Sequence, residues 1–395
     1  MEDDDPTLPV RLALGGMIGM TVAMGIGRFV YTPILPGMMA ELGLSPADAG
    51  WIASANYLGY LVGALAGAGA WATGLERRLM LAGLAASTAL TFLMGLTDSL
   101  AAFLVIRFLA GFASAVVMVF LAAIVLGHLA EAGRADLQGV HFSGVGVGIV
   151  LSSLMMLALV SAGLPWESGW RWSALLSLLG SLAVLRLVDR DAPRGGADPV
   201  EPRLPRDRTL LNLIVAYGLF GFGYIVTATF LIAIVRQDGG SRSFEAAVWL
   251  VTGLAVLPSL HLWGIATRRR GPVAAFIAGC LVEGVGVAAS VSLPGAAGPV
   301  LGGVLLGGTF VAATAYGLQA GRLLAPRSPR RAFALMTASF GLGQILGPIV
   351  AGLIAERTGS FFAGSMLAAL ALLAAAGFAW PAMRRTLPVS NVTQM

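Results

Sequence analysis

Apolar runs of roughly 20 residues, the length a helix needs to cross a bilayer, return along this chain one after another with only short breaks between them. They lie near 10–35, 47–71, 79–97, 100–127, 138–161 and 170–188, then near 209–235, 245–267, 272–293, 298–324, 332–355 and 360–383. Pro36, Pro46, Pro165, Pro294 and Pro326 mark several of the breaks. The pattern predicts an all-α membrane protein with twelve transmembrane helices. Composition agrees for a physical reason: 57% of the residues are hydrophobic and 11% charged, where a soluble domain carries about 25% charged residues. So few charges leave no polar shell to cover a soluble core, whereas lipid covers a membrane protein. The 53 glycines suit helices that approach closely through small side chains.

The one long polar stretch, 189–208, is rich in Pro, Gly and charge and reads as a flexible linker. It divides the chain into a six-helix bundle at 1–188 and another at 209–395. Orientation follows from arginine, since all 25 basic residues are Arg. With the N-terminus inside, nineteen arginines fall on the cytoplasmic side and four on the other, while Arg28 and Arg107 lie within spans. Positive charge stays inside, so both termini are expected in the cytoplasm. The same placement explains the basic balance without nucleic acid. Met1–Asp5 is acidic where a cleavable signal would be basic, so no leader is expected. The halves also echo each other. Trp71-Ala-Thr-Gly-Leu-Glu-Arg77-Arg78 ends the second run and Trp263-Gly-Ile-Ala-Thr-Arg-Arg269-Arg270 the eighth, while Gly144-Val-Gly146 parallels Gly341-Leu-Gly343. Repeated halves with a site between them are a common transporter plan.

Gly25-Ile-Gly-Arg28-Phe-Val-Tyr31-Thr-Pro33-Ile-Leu-Pro36 resembles the first-helix signature of the YbfB/YjiJ-type bacterial transporters of the major facilitator superfamily. Gly50-Trp-Ile-Ala-Ser-Ala-Asn56-Tyr57-Leu-Gly59-Tyr60 resembles that family's second span. Arg107-Phe-Leu-Ala-Gly111 is similar to the superfamily's RxxxG motif, and Phe340-Gly-Leu-Gly343-Gln344-Ile-Leu-Gly347-Pro348 to the family's eleventh span. The resemblance covers nearly the whole chain. It implies two six-helix bundles, alternating access, a monomer in the bacterial inner membrane, and a cavity lined by spans one, four, seven and ten. It supplies no substrate. One departure is visible: the superfamily's loop motif after span two carries an Asp where this chain has Thr73, and the second half has Ile265 there. Closure on that side would then rest more on helix packing than on a charge lock.

Arg28 and Arg107 are the sharpest candidate site residues, because a charge inside a span usually faces a protein interior or a watery cavity. Each lies about 10 Å from the periplasmic end of its expected span at about 1.5 Å per residue. Two Arg forks at one level suit a carboxylate or phosphate. Either is also readable as structural, Arg28 bonded to helix-end carbonyls or reaching for the surface, and Arg107, by the resemblance, as the superfamily's conformational or structural Arg. Spans one and four hold no Asp or Glu, which argues against simple cationic substrates. His141 and Glu283 remain as proton-coupling candidates: a histidine titrates near cellular pH, and a buried Glu283 would be protonated or paired. Tyr217 and Tyr224 share a helix face, as do Tyr316 and Thr309, and Asn56 and Tyr60. With Tyr31 and Gln344 they are candidate ligand contacts, or bridges between helices. Gly59, Gly63 and Gly67, then Gly144 and Gly148, then Gly343 and Gly347, form small-residue rows. By the resemblance, spans two and eleven meet across the halves, as do five and eight, so smooth rows there would let the halves rock.

The single cysteine, Cys280, and the scattered His128, His141 and His261 show no ligand spacing, so no metal and no cofactor are expected. No Walker, HExxH or GxSxG sequence occurs. An embedded enzyme would need clustered catalytic groups at one membrane face, and a receptor a sizeable soluble domain; neither is seen. The expected function is secondary transport of a small organic solute, preferably an organic anion and with proton coupling open. Efflux of apolar compounds past Met20, Met24 and Met118 is the alternative.

Overall fold

The computed structural model describes residues 7–68, 70–193 and 201–386. Met1–Asp5 and, in the expected linker, Arg194, Gly195, Gly196 and Pro199 lie outside the described residues. The described residues form helices joined by turns and short irregular segments, with no strand among them. Helix α1 (Leu8–Met20) runs into a π-helical segment (Thr21–Ile26), and after an irregular turn α2 (Tyr31–Leu42) completes the element. Then come α3 (Pro46–Gly67), α4 (Glu76–Met94), α5 (Leu100–Glu131), α6 (Gln138–Ser161), α7 (Trp166–Leu187), α8 (Arg208–Gln237), α9 (Arg242–Ser292), α10 (Ala297–Leu324), α11 (Pro329–Thr358) and α12 (Phe362–Thr386). Among the described residues, eight helical segments are long and apolar enough to cross a membrane, with Leu8–Leu42 and the 51-residue α9 each counted once. α3, α4 and α7 have 22, 19 and 22 residues but are too polar for that mark.

Local chemistry explains the boundaries. Gly43 ends α2 in the left-handed region at φ 66°. Ser45 then starts α3 with a capping box, its side chain accepting from the Asp48 amide while Asp48 accepts from its own, and Pro46 follows at the first helical position. Asp207, Ser99 and Ser241 cap α8, α5 and α9 in the same way. The runs expected at 245–267 and 272–293 form one element, α9, broken at Gly271, whose φ of 79° reverses the chain in a single residue. Pro36 is a correction to the sequence reading: the helix passes through it to Leu42 instead of ending near 35. Neighbouring helices hold that segment, for Thr32 donates to the Ala228 carbonyl at 2.6 Å and Arg236 to the Pro36 carbonyl at 3.3 Å.

One end of the bundle carries Ser45 and the turns near 95–99, 162–165, 238–241 and 359–361; the other carries Arg77, Gly271 and residues 188–193 and 201–207. Helices from before residue 188 meet those from after 208 along α3–α11, α6–α9 and α2–α8. Polar ties across these seams gather toward the Ser45 end. Ser45 Oγ donates to Glu356 Oε2 at 2.8 Å, and Ser54 Oγ to the Ile345 carbonyl at 2.7 Å. Tyr57 and Thr229 share a hydroxyl contact at 3.3 Å. The ties at the Arg77 end are more local: Arg77 donates to the Val188 and Leu185 carbonyls, and Arg385 to Asp207 at 2.5 Å. Leucines such as Leu175, Leu178, Leu182 and Leu185 of α7 point outward and stay exposed, which a lipid surround accommodates and water does not.

Candidate functional site

The irregular turn after the π-helical segment builds the site. Gly25 lets the chain touch α6, since a Cβ there would sit 2.6 Å from the Gly148 Cα. Beyond it the regular ladder lapses, and the carbonyls of Gly27 and Arg28 become available to a side chain. Arg107 on α5 takes both, donating from Nη1 to Gly27 at 3.1 Å and from Nη2 to Arg28 at 3.2 Å. Its guanidinium also faces the Tyr31 ring at 5.1 Å and the Trp170 ring at 5.9 Å. Arg107 thus spends its fork on the backbone that the break exposes.

Arg28 is treated differently. Its guanidinium carbon lies 4.5 Å from the Tyr60 ring centroid, 4.8 Å from Tyr57 and 5.7 Å from Phe29. The residue is 3% exposed. Its Nε and Nη2 have no hydrogen-bond partner among the described residues, and no carboxylate pairs with it there. A buried cation held only by ring faces keeps its directional donors free. The expected depth also shifts: α2 runs to Leu42, so Arg28 lies near the middle of its element rather than close to its end.

An aromatic wall from α8, α10 and α11 stands beside it. Tyr224 stacks on Phe220 at 5.3 Å, Phe340 at 5.6 Å and Phe310 at 5.8 Å. Phe310 meets Phe29 edge-on at 5.7 Å, which joins the wall to the Arg28 turn. Gln344 donates to the Tyr224 hydroxyl.

The residues singled out from sequence therefore separate. Arg28, Tyr60, Tyr224 and Gln344 converge, with the Tyr60 hydroxyl on the Met118 sulfur. The others each donate to neighbouring backbone: Tyr31 to Ala49 at 2.9 Å, Asn56 to Arg107 at 3.0 Å, Tyr217 to Thr314 at 2.9 Å and Tyr316 to Leu260 at 3.5 Å. His141 stands apart on α6, buried against Gly16 of α1 and edge-on to Phe142. Glu283 on α9 is fully buried, with Oε2 3.1 Å from Thr309 Oγ1. Sequence reasoning passed over Phe29, Tyr57, Phe310 and Phe340. Tyr57 and Tyr60 are three apart on α3, a spacing that could have been read as one face; Phe310 carried no local signal.

The glycine rows lie on other seams than expected. A Cβ at Gly59 would sit 1.8 Å from the Phe108 carbonyl oxygen and one at Gly63 2.7 Å from that of Phe112, so this row seats α3 on α5, not on α11. Gly67 faces Val119 of the same helix. Gly144 and Gly148 press on Met17 and Gly25, and Gly343 and Gly347 on Gly218 and Phe222 of α8. The seams between the early and late helices use different glycines. Gly50 abuts Pro348, Gly352 abuts Pro46, and Gly146 meets Gly253 and Val256.

A family profile described as uncharacterised MFS-type transporter YbfB matches residues 20–379. The chain is 26% identical over 356 residues to an uncharacterized MFS-type transporter, YceJ, of Bacillus subtilis (strain 168), across 86% of this chain and 88% of that protein. It is 27% identical over 383 residues to a chloramphenicol resistance protein of Streptomyces lividans, across 90% and 93%. Its fold is similar to that of a bacterial homolog of the human lysosomal transporter Spinster, solved inward-facing and occupied, with a TM-score of 0.72 at 19% identity over 95% of this chain and 96% of that one. It is also similar to a mutant of the nucleoside transporter NupG, with a TM-score of 0.70 at 16% identity over 96% and 98%. At these identities the two structures speak for the fold alone.

Proposed function

The chain belongs to the YbfB-type transporters of the major facilitator superfamily, and from that premise we propose a secondary active transporter that moves a small organic anion across the bacterial inner membrane by alternating access. Family and fold are those of transporters, not enzymes. The observation that carries the anion reading is Arg28, a buried cation between Tyr57 and Tyr60 with unspent donors and no acidic partner. In this reading Arg28 receives the anionic group, and Tyr60, Tyr224 and Gln344 contact the rest of the solute. Arg107, Tyr31, Asn56, Tyr217 and Tyr316 position the helices that hold them.

The frame proposed around this site has twelve crossings, with α9 supplying two on either side of Gly271. Bundles at 1–188 and 209–395 are joined by the linker 189–208. Arginine placement supports cytoplasmic termini, which puts the Ser45 end outside. The ties gathered toward that end support a state closed to the outside. The chain works as a monomer in lipid and needs no nucleic acid.

A second reading, efflux of neutral aromatic compounds, draws on the Streptomyces lividans relative's name and on the wall of Tyr224, Phe310 and Phe340. Melting temperature in detergent separates the two, because a ligand that binds only the folded state raises it by mass action. Wild type and Arg28→Ala are compared with small carboxylates, their amides and chloramphenicol. Stabilisation by carboxylates that disappears in the variant supports anion transport. Stabilisation by neutral compounds that survives in the variant overturns it in favour of efflux.

A further inference from the structure

Glu283 is the fully buried carboxyl that the proposed anion site leaves unused. Its surroundings are poor in charge. On α9 itself the buried Cys280 lies one turn earlier. From α8, Tyr224 stacks at 5.8 Å on Phe310, the residue after Thr309. From α10 comes the hydroxyl of Thr309, and the α12 residues at the neighbouring Gly284 are Ala369, Leu372 and Leu373. No salt bridge among the described residues includes Glu283, and its Oε1 has no hydrogen-bond partner among them.

The contact with Thr309 can be read by counting protons. A threonine hydroxyl has one proton to give and two lone pairs to receive with. Thr309 Oγ1 lies 2.6 Å from the Leu305 carbonyl, one turn back on its own helix, and 3.1 Å from Glu283 Oε2. A carbonyl only accepts, so the shorter contact takes the hydroxyl proton. The longer contact is then completed by a proton on Glu283 Oε2, given to a lone pair of Thr309. A carboxylate there would join the Leu305 and Leu306 carbonyls and leave three acceptors around one hydroxyl proton, in a site without a cation.

The position links this group to the moving parts. Tyr224 bonds Gln344 on α11, and the adjacent Ile345 carbonyl receives Ser54 across the α3–α11 seam. We propose that Glu283 is a proton-binding site of the transporter, loaded while the Ser45 end is closed and emptied when that seam opens and the α9–α10 contact rearranges. Proton and anion would then use separate sites, joined through Phe310, which contacts Phe29 beside Arg28 and follows Thr309 in sequence.

Infrared difference spectroscopy on the full chain in lipid tests the proton without a known substrate. Wild type is expected to show, at neutral pH, the carbonyl stretch of a protonated carboxylic acid, lost in one step on alkaline titration. Glu283→Gln should lack that step, and Thr309→Val should retain the band at a shifted position. A wild type without the band, or a Glu283→Gln variant that keeps it unchanged, overturns the site. Coupling is read from spin-label distances across the Ser45 end, with labels on introduced surface cysteines, Cys280 being buried. The distance distribution should move with pH in wild type and not in Glu283→Gln. A distribution that ignores pH in wild type, or moves equally in both, overturns the coupling role. None of these readouts depends on Arg28, so a failed anion assay leaves them standing.

Discussion

α3 carries two seams, one against α5 and one against α11, and they are built differently. Against α5, glycine faces backbone: Gly59 sits under Phe108, Gly111 under Asn56, and the Asn56 amide reaches the Arg107 carbonyl. Arg107 then ties the same seam to the turn at Gly27 and Arg28. Against α11 the close approaches fall mainly near the Ser45 end, at Gly50 and Gly352, and the outermost polar tie is the solvent-facing pair of Ser45 and Glu356. A seam of buried backbone contacts has no cheap alternative arrangement, because every broken bond leaves an unsatisfied group in a place without water. A seam whose outer bonds are wet can exchange them for water and part. The difference assigns rigidity to α3–α5 and motion to α3–α11.

Substitutions can break that assignment. The largest effect is expected from Gly59→Val, whose Cβ would lie 1.8 Å from the Phe108 carbonyl oxygen. The helices must separate, the cost exceeds about 3 kcal/mol, and size-exclusion of the detergent-solubilised protein should show no folded peak. Arg107→Ala comes next. Two backbone carbonyls lose charged donors, a loss of about 3 kcal/mol or more, read as a large fall in melting temperature that Lys restores only in part. Gly352→Ala should differ in kind. Its Cβ would meet the Pro46 carbonyl oxygen at 2.4 Å, and opening the seam relieves the clash, so label distances across the Ser45 end should lengthen while melting falls by less than about 2 kcal/mol. If Gly59→Val merely opens the molecule and Gly352→Ala unfolds it, the assignment is reversed.

Glu356→Gln keeps the shape but weakens a partly wet bond, so roughly a two- to five-fold shift toward the open population is expected, corresponding to about 0.5–1 kcal/mol. The smallest effect lies off both seams. Glu201 accepts from the Arg330 and Arg331 amides at the start of α11. Partial desolvation raises its pKa, but those amides and the Arg330 guanidinium outweigh it and hold it below the usual carboxylate range. A lowered folded value contributes stability above the ordinary carboxylate range and loses it as pH falls through the lowered value. The melting gap between wild type and Glu201→Gln should therefore close on acidification.

The all-helical, multi-span character was legible because lipid imposes a length, so that apolar runs of roughly 20 residues stand out. Boundaries were less so. Pro36 looked like a stop, since a sequence does not reveal that Thr32 and the Pro36 carbonyl find partners on α8. The glycine rows announced close contact correctly but not the partner, because a small face is equally small toward either neighbour. The same limit applied to the two intramembrane arginines. Residue type named both, yet only the break after the π-helical segment, invisible as a spacing, distinguishes the guanidinium that takes two backbone carbonyls from the one held by ring faces.

Gly271 has a mechanical meaning beyond its turn. With one residue between them, the arm of α9 that meets α6 through Gly253 and Val256 and the arm that carries Glu283 are joined without slack. A longer connection would absorb a displacement of the first arm before the second felt it. Here any sliding at the α6 face would pass to the arm that carries the buried acid. Lengthening this joint by a few flexible residues would leave both arms intact and uncouple them.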